Sequence, residues 1–287
     1  MPYRMIAIDL DGTLLAPDGS VPERAIAAIH QCLSAGLLVC FATGRNWTES
    51  KAILETVGHY STAVFVSGAM VMDTEHGVTL HRTLMDADLA REVCGLLERL
   101  GHTPLALQDT QKAGGVDYLA TAGKAPNEAE RIWREVTQSV VHEVPSLAEY
   151  PHEHTIRVGI VAPSDEVQTA LTELKDALGD RVVCHNINVP AYGVDVMEVF
   201  DPAVNKWQGI LHVAKMHGVE QSEIVAIGDD VNDLPMLRQA GLSIAMGNAK
   251  PHIQAVAHRV IGRNDEDGLA IFLTELVAQH TVVPAPQ

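Results

Sequence analysis

Three short stretches of this 287-residue sequence carry reactive side chains at close spacing. Asp9 and Asp11 form an Asp-x-Asp pair in Asp9-Leu10-Asp11-Gly12-Thr13. Thr43-Gly44-Arg45 joins a hydroxyl, an unhindered amide and a guanidinium. Gly228-Asp229-Asp230-Val231-Asn232-Asp233 gathers further carboxylates. Bringing Asp9, Asp11 and Asp229 into one partly dry site is costly without a cation, because like charges repel there. A divalent metal removes that cost, and hard oxygen ligands on a site open to phosphate favour Mg²⁺. Taken singly, each stretch has a plainer reading. A lone Asp-x-Asp is more often a turn, Thr-Gly-Arg a strand-to-helix loop, and Asp230 serves equally well as a metal ligand or a helix cap.

The elements that must position these groups follow from hydrophobic periodicity. Met5-Ile6-Ala7-Ile8 is a short apolar run ending in Asp9, as expected of a parallel strand buried on both faces. Pro22 opens a helix with Ile26, Ile29 and Leu33 on one face, stopped by Gly36. Strands are expected at 37–42 and 63–66, and Asn46 with Glu49 forms a capping box between them. A hairpin turns at 75–77. From residue 83 the character changes. A helix carries Leu89, Val93, Leu96, Leu97 and Leu100, and strands follow near 104–109, 116–120, 156–162, 181–187 and 193–199, with helices after Pro126 and over 164–178. From Asp201 the alternation resumes: helix 205–217, strand 224–227, helix 231–240, strand 242–246 and a last helix bearing Leu269, Phe272, Leu273 and Leu276. The expected organisation is an α/β core from 1–82 and 201–287, interrupted by an α+β insert at 83–200. The tail Val282–Gln287 is expected to fray. In such open sheets ligands gather at the carboxyl ends of the strands, which is where all three reactive stretches fall.

Composition narrows the partners. Lys and Arg total 20 against 37 Asp and Glu, a formal charge of −17. That balance disfavours broad nucleic-acid binding and docking on anionic membranes, while leaving a small anionic substrate open if the site brings its own cations. The N-terminal residues lack the apolar region and cleavage site of a signal peptide, no apolar run is long enough to span a membrane, and no obligate protein partner is evident. Cys32, Cys40, Cys94 and Cys184 form no Cys-x-x-Cys pair, so buried thiols in a reducing cytoplasm are expected. His152-Glu153-His154 lacks the spacing that puts two imidazoles on one helix face and reads as a solvated loop. Asn186, Asn188 and Tyr192 are candidate substrate contacts or ordinary turn residues.

The four stretches DLDGT at 9–13, TGR at 43–45, Lys206 and GDDVND at 228–233 occur in the order of the haloacid dehalogenase (HAD) superfamily motifs. The sequence resembles that superfamily and, within it, the Cof-like subfamily IIB phosphatases. The resemblance implies a Rossmann-like core with a parallel sheet and an α+β cap of type C2B. It implies that Asp9 is a nucleophile forming an aspartyl phosphate, and that Asp11 is the general acid and then the base. Thr43, Gly44, Arg45 and Asn232 would bind phosphoryl oxygens, and Lys206 would stabilise charge. Asp9, Asp11 through its main-chain oxygen, and Asp229 would hold Mg²⁺, with Asp230, Asp233 and Asn232 orienting these groups. Two positions depart from the family pattern: Ser67-Gly68-Ala69 stands where Asn-Gly-Ala is usual, and Lys206 precedes Trp207 rather than glycine. The implied function is a cytoplasmic, Mg²⁺-dependent phosphatase acting on small soluble phosphate monoesters, sugar phosphates foremost. The alternatives are a phosphomutase with the same chemistry and a non-catalytic sensor of phosphorylated metabolites.

Overall fold

A computed structural model describes residues 3–189 and 194–280. The chain folds as two compact units, Met1–His81 with Asn205–Gln287, and Arg82–Val204.

The first unit is built on a five-stranded parallel sheet, in the order Arg259–Val260, Leu242–Ala245, Ile224–Gly228, Met5–Ile8, Leu38–Phe41. The strand Met5–Ile8 is apolar at every position and fully buried, as a strand covered on both faces must be. Its register sets Ile8 beside both Ile227 and Phe41. The three strands therefore end nearly level, and Asp9, Gly228 and Ala42 stand at their carboxyl ends. A bridge from Ala42 to Val64 adds the strand Thr62–Phe65, which continues into an antiparallel meander through Met70–Asp73 and Val78–Arg82. On one face Met5, Ala7, Cys40, Ala42, Ile224 and Ala226 pack against Trp207, Ile210, Val213 and Ala214 of the helix Lys206–Met216. The alternate residues Ile6, Ile8, Val39, Val225 and Ile227 are equally buried on the other face. The helices Glu23–Ser34 and Gly268–His280 pack together.

Trp207 is completely buried in that apolar cluster. The bulk that replaces the usual glycine is thus absorbed by the core, where a buried aromatic contributes about 2–3 kcal/mol. Two expectations need correction. The first helix buries Ala25, Ala28, Ile29 and Cys32, and Leu33 is 37% exposed; small residues let this helix approach closely on a face offset from the larger side chains. The expected helix 231–240 is a 3₁₀ turn, Val231–Asp233, followed by the short helix Leu234–Gln239 with Pro235 in its first turn. Residues 282–287 lie outside the described residues.

The second unit is a six-stranded mixed sheet in the order Val183–Val189, Val194–Phe200, Thr155–Ala162, Leu105–Gln108, Tyr118–Thr121, Val141–Val144. Its pairings are antiparallel except the last, which is parallel. The helices Ala87–Arg99 and Ser164–Leu178 supply Leu89, Val93, Leu97, Val167 and Leu174 to a core with Ala106, Leu119, Val158, Ile160 and Met197. On the alternate register Tyr118 meets Trp133 of the helix Glu128–Thr137 edge to face. Among the described residues no helix is long and apolar enough to cross a membrane.

Candidate active site

The chain leaves the strand Met5–Ile8 at Asp9 and winds through one wide turn closed by Leu14 N–H to Asp9 O (3.3 Å) and Leu15 N–H to Leu10 O (2.8 Å). Gly12 makes this turn at φ +77°, and a β-carbon there would lie 2.2 Å from Asp229 Oδ2. Only glycine combines that left-handed backbone with so close an approach to a carboxylate.

Asp9 is 4% exposed and Lys206 not at all. Lys206 is the first residue of its helix, whose cap is Asn205 accepting from Gln208 N–H. Its ammonium donates to Asp9 Oδ1 at 2.6 Å and to Asp233 Oδ1 at 2.7 Å. The second Asp233 oxygen accepts the main-chain N–H groups of Asp229 (2.9 Å) and Asp230 (3.1 Å). Asp233 is thus spent on Lys206 and on the loop after Gly228. Asp229 accepts from Thr13 Oγ1 at 3.2 Å on one oxygen and from Asn248 Nδ2 at 3.2 Å on the other.

Carboxylate oxygens of Asp9, Asp229 and Asp233 lie within 4.8 Å of one another. Burial first, and then the charge of Asp233, lift the Asp229 carboxyl to about 7. The same two causes hold Asp9 well above the usual carboxylate range, against the opposing pull of Lys206. Burial alone would depress the Lys206 ammonium; Asp233 and Asp9 outweigh it and hold its pKa above the ordinary value. One ammonium cannot neutralise two buried carboxylates and a half-buried third. The residual negative charge, the all-oxygen donor set and the Gly12 cradle fit a small divalent cation.

The Asp11 side chain stands apart from this buried group. It is 54% exposed and forms a two-pronged pair with Arg45, Nε to Oδ2 at 2.8 Å and Nη2 to Oδ1 at 2.6 Å. Arg45 follows buried Thr43 and half-buried Gly44 in the loop after Leu38–Phe41, and its N–H donates to Thr43 Oγ1 at 3.1 Å. Asn46 and Glu49 form the expected capping box on the helix Trp47–Val57. Asp230 caps the Val231–Asp233 turn, its Oδ1 accepting Val231 N–H at 2.8 Å, and Asn232 sits half-buried in that turn.

Other candidates resolve differently. His152 is buried: its Nε2 donates to Leu147 O at 2.8 Å and its Nδ1 accepts from Thr155 Oγ1 at 2.8 Å. The expected solvated loop is instead a packed corner with a saturated imidazole. Asn186 Nδ2 donates to Asp195 Oδ2 at 2.9 Å, and Asp195 in turn accepts from Ser164 Oγ, so Asn186 braces the start of a helix. Tyr192 and the side chain of Asn188 lie outside the described residues. The four cysteines are free, with Cys32, Cys40 and Cys94 buried, and burial pushes the Cys40 thiol up to about 12. Sequence reasoning passed over Thr13 and Asn248. Asn248 follows a core strand on its carboxyl side, and that position is the signal that could have found it.

Comparison with known proteins names the class. Residues 6–273 match the profile of the haloacid dehalogenase-like hydrolases, so the chain belongs to that family and is an enzyme of it. It is 26% identical to HMP-PP phosphatase of Serratia proteamaculans (strain 568), over 99% of each chain. It is 29% identical to the 5-amino-6-(5-phospho-D-ribitylamino)uracil phosphatase YitU of Bacillus subtilis (strain 168), over 96% of this chain and 97% of that one. A solved HAD subclass IIB sugar phosphatase, BT4131, shares the fold at TM-score 0.76 and 21% identity, covering 95% of this chain and 98% of its own.

Proposed function

We propose that this chain is a Mg²⁺-dependent phosphatase that hydrolyses small soluble phosphate monoesters, sugar phosphates or similar metabolites, through an aspartyl-phosphate intermediate in the cytoplasm. The observation that carries the reading is the buried triad Asp9–Lys206–Asp233 beside Asp229 at one sheet edge. The phosphorylated compound in the name of the Bacillus relative and the sugar phosphatase among the solved structures support the substrate class.

In this reading Asp9, Asp229 and the Asp11 main-chain oxygen hold Mg²⁺, which neutralises phosphoryl charge when bound. One Asp9 carboxylate oxygen attacks phosphorus as the bond to the leaving alkoxide breaks. Asp11 gives that alkoxide its proton, then takes one from the water that hydrolyses the acyl phosphate. Lys206, fixed by Asp233, keeps Asp9 aligned and offsets the charge developing on the phosphoryl oxygens. Thr43, the Gly44 N–H, Arg45 and Asn232 bind those oxygens. Arg45 must therefore exchange its grip on Asp11 for the phosphate, freeing the acid as substrate arrives. Residues 83–200 act as a cap that selects the leaving group.

A panel of phosphorylated metabolites assayed for inorganic phosphate tests the proposal. Release that stops in EDTA, returns with Mg²⁺ and is poorly restored by Ca²⁺ is the expected result. Full activity in EDTA would overturn the metal assignment. Isomerised phosphate ester without free phosphate would indicate the mutase alternative, and binding without turnover the sensor.

A further inference from the structure

Asn248 closes the stretch Ala245-Met246-Gly247-Asn248 at the carboxyl end of the strand Leu242–Ala245. Its partners fix which end of its amide is which. One end receives the Asn264 main-chain N–H at 3.1 Å and must be the oxygen. The other end meets two acceptors, Gly12 O at 2.8 Å and Asp229 Oδ2 at 3.2 Å, and must be the NH₂. Asn264 in turn donates its own amide to Leu15 O at 2.8 Å. Two asparagines thus stitch the Gly12–Leu15 turn to Asp229 and to the loops after the next two strands of the sheet.

The chemistry of the donors matters as much as their geometry. Asp9 and Asp233 are held by a cation, Lys206. Asp229 is held on one oxygen by the Thr13 hydroxyl and on the other by the Asn248 amide. Neutral donors orient a carboxylate without cancelling its charge, and each oxygen keeps a lone pair for another partner. The Asn248 NH₂ also bridges two oxygens that belong to chain segments 217 residues apart, at Gly12 and Asp229.

We propose that Asn248 is a positioning residue for the metal. Through Asp229 and the Gly12 carbonyl it sets the orientation of one ligand carboxylate relative to the Asp11–Gly12 segment. The inference rests on the magnesium reading given above.

Calorimetric titration with Mg²⁺ alone, in the absence of substrate, tests it on the full-length wild type, Asn248→Ala, Asn248→Ser and Asn264→Ala, with melting in EDTA as the control for folding. Asn248→Ala is expected to weaken Mg²⁺ binding about ten- to hundredfold, as loss of a partner to a metal ligand does. In assays the half-saturating Mg²⁺ concentration should rise, with turnover largely recovered at saturation. Asn248→Ser, too short to reach both oxygens, should show the same shift and serves if the alanine variant does not fold. Asn264→Ala retains the main-chain N–H that Asn248 accepts. It should lower the melting temperature while leaving Mg²⁺ affinity within about twofold. A folded Asn248→Ala or Asn248→Ser chain with wild-type affinity would overturn the proposal. Equal losses of affinity in Asn248→Ala and Asn264→Ala would also overturn it, by reducing Asn248 to general scaffolding. A wild-type chain that takes up no Mg²⁺ would instead overturn the magnesium reading itself.

Discussion

The Lys206 ammonium lies 2.6 Å from Asp9 Oδ1 although 197 residues separate the two in sequence, and both groups are buried. A buried ion pair of this kind is held by complementary desolvated charges, so removing one partner strands the other. Lys206→Met leaves Asp9 and Asp233 buried without their cation. In EDTA this variant should lose about 3–5 kcal/mol of stability in denaturant unfolding, and turnover should vanish. Added Mg²⁺ should recover part of the stability and none of the activity. Wild-type stability in EDTA would contradict the arrangement.

Arg45 and Asp11 make the opposite case. Their pair is half exposed, and such pairs contribute about 0–1 kcal/mol. Arg45→Lys removes the two-pronged grip and keeps the charge. Its melting temperature should match the wild type, whereas kcat/KM should fall about tenfold or more, because a single point charge cannot hold two phosphoryl oxygens. A large stability loss with unchanged kinetics would assign Arg45 a structural role.

Ser67 stands at φ +53° and ψ 27°, a left-handed conformation that costs an L-residue other than glycine about 1–2 kcal/mol. Its hydroxyl is buried without a partner among the described residues. Its N–H donates to Thr43 O at 3.0 Å, a bond that glycine would retain. Ser67→Gly should therefore raise stability by about 1 kcal/mol after the added chain entropy of glycine is subtracted. A drop in melting temperature would show that the hydroxyl has a partner in solution that outweighs the strain.

Burial lowers the pKa of His59, whose Nε2 donates to Val39 O at 2.7 Å, and of His152. The native state keeps both imidazoles neutral, while the unfolded chain takes up protons below about pH 6.5. The stabilisation is thus complete above that pH and is lost as pH falls through it. Melting temperature should drop between about pH 7.5 and pH 5.5, and the drop should be smaller in His59→Gln, which keeps a donor for Val39 and cannot titrate there. Equal slopes in the two proteins would contradict the assignment.

The core strands could be read from the sequence because they are short apolar runs that end abruptly in polar residues. The capping box at Asn46 was legible because its two partners are three residues apart. The strand Val141–Val144 escaped because its side chains are half-exposed or exposed and carry no alternating pattern, and the edge strand Arg259–Val260 is only two residues long. Leu33 misled because periodicity reports a face, and only tertiary packing decides which face is covered; His152 misled because motif spacing carries no sign of Leu147 and Thr155, which enclose its ring. The motif aspartates, Lys206 and Asp233 were legible as candidates; Thr13 and Asn248, which hold Asp229, and the grip of Arg45 on Asp11 were not. The Asn248–Gly12 bond spans 236 residues, and the Arg45–Asp11 pair depends on two loops meeting beyond the sheet edge. Neither leaves a trace in local spacing.

The assignment of Asp9 as the nucleophile is tested most directly by trapping. Asp11→Asn retains the attacking carboxylate and loses the proton transfer, a step worth about 10²- to 10⁴-fold. With an aryl phosphate, whose leaving group needs little protonation, phosphorylation should outlast hydrolysis in this variant. Intact-mass spectrometry after acid quench should then show one added phosphoryl group, mapped to Asp9 and missing from Asp9→Asn. A phosphoryl group on a histidine or serine, formed equally well by Asp9→Asn, would contradict the account.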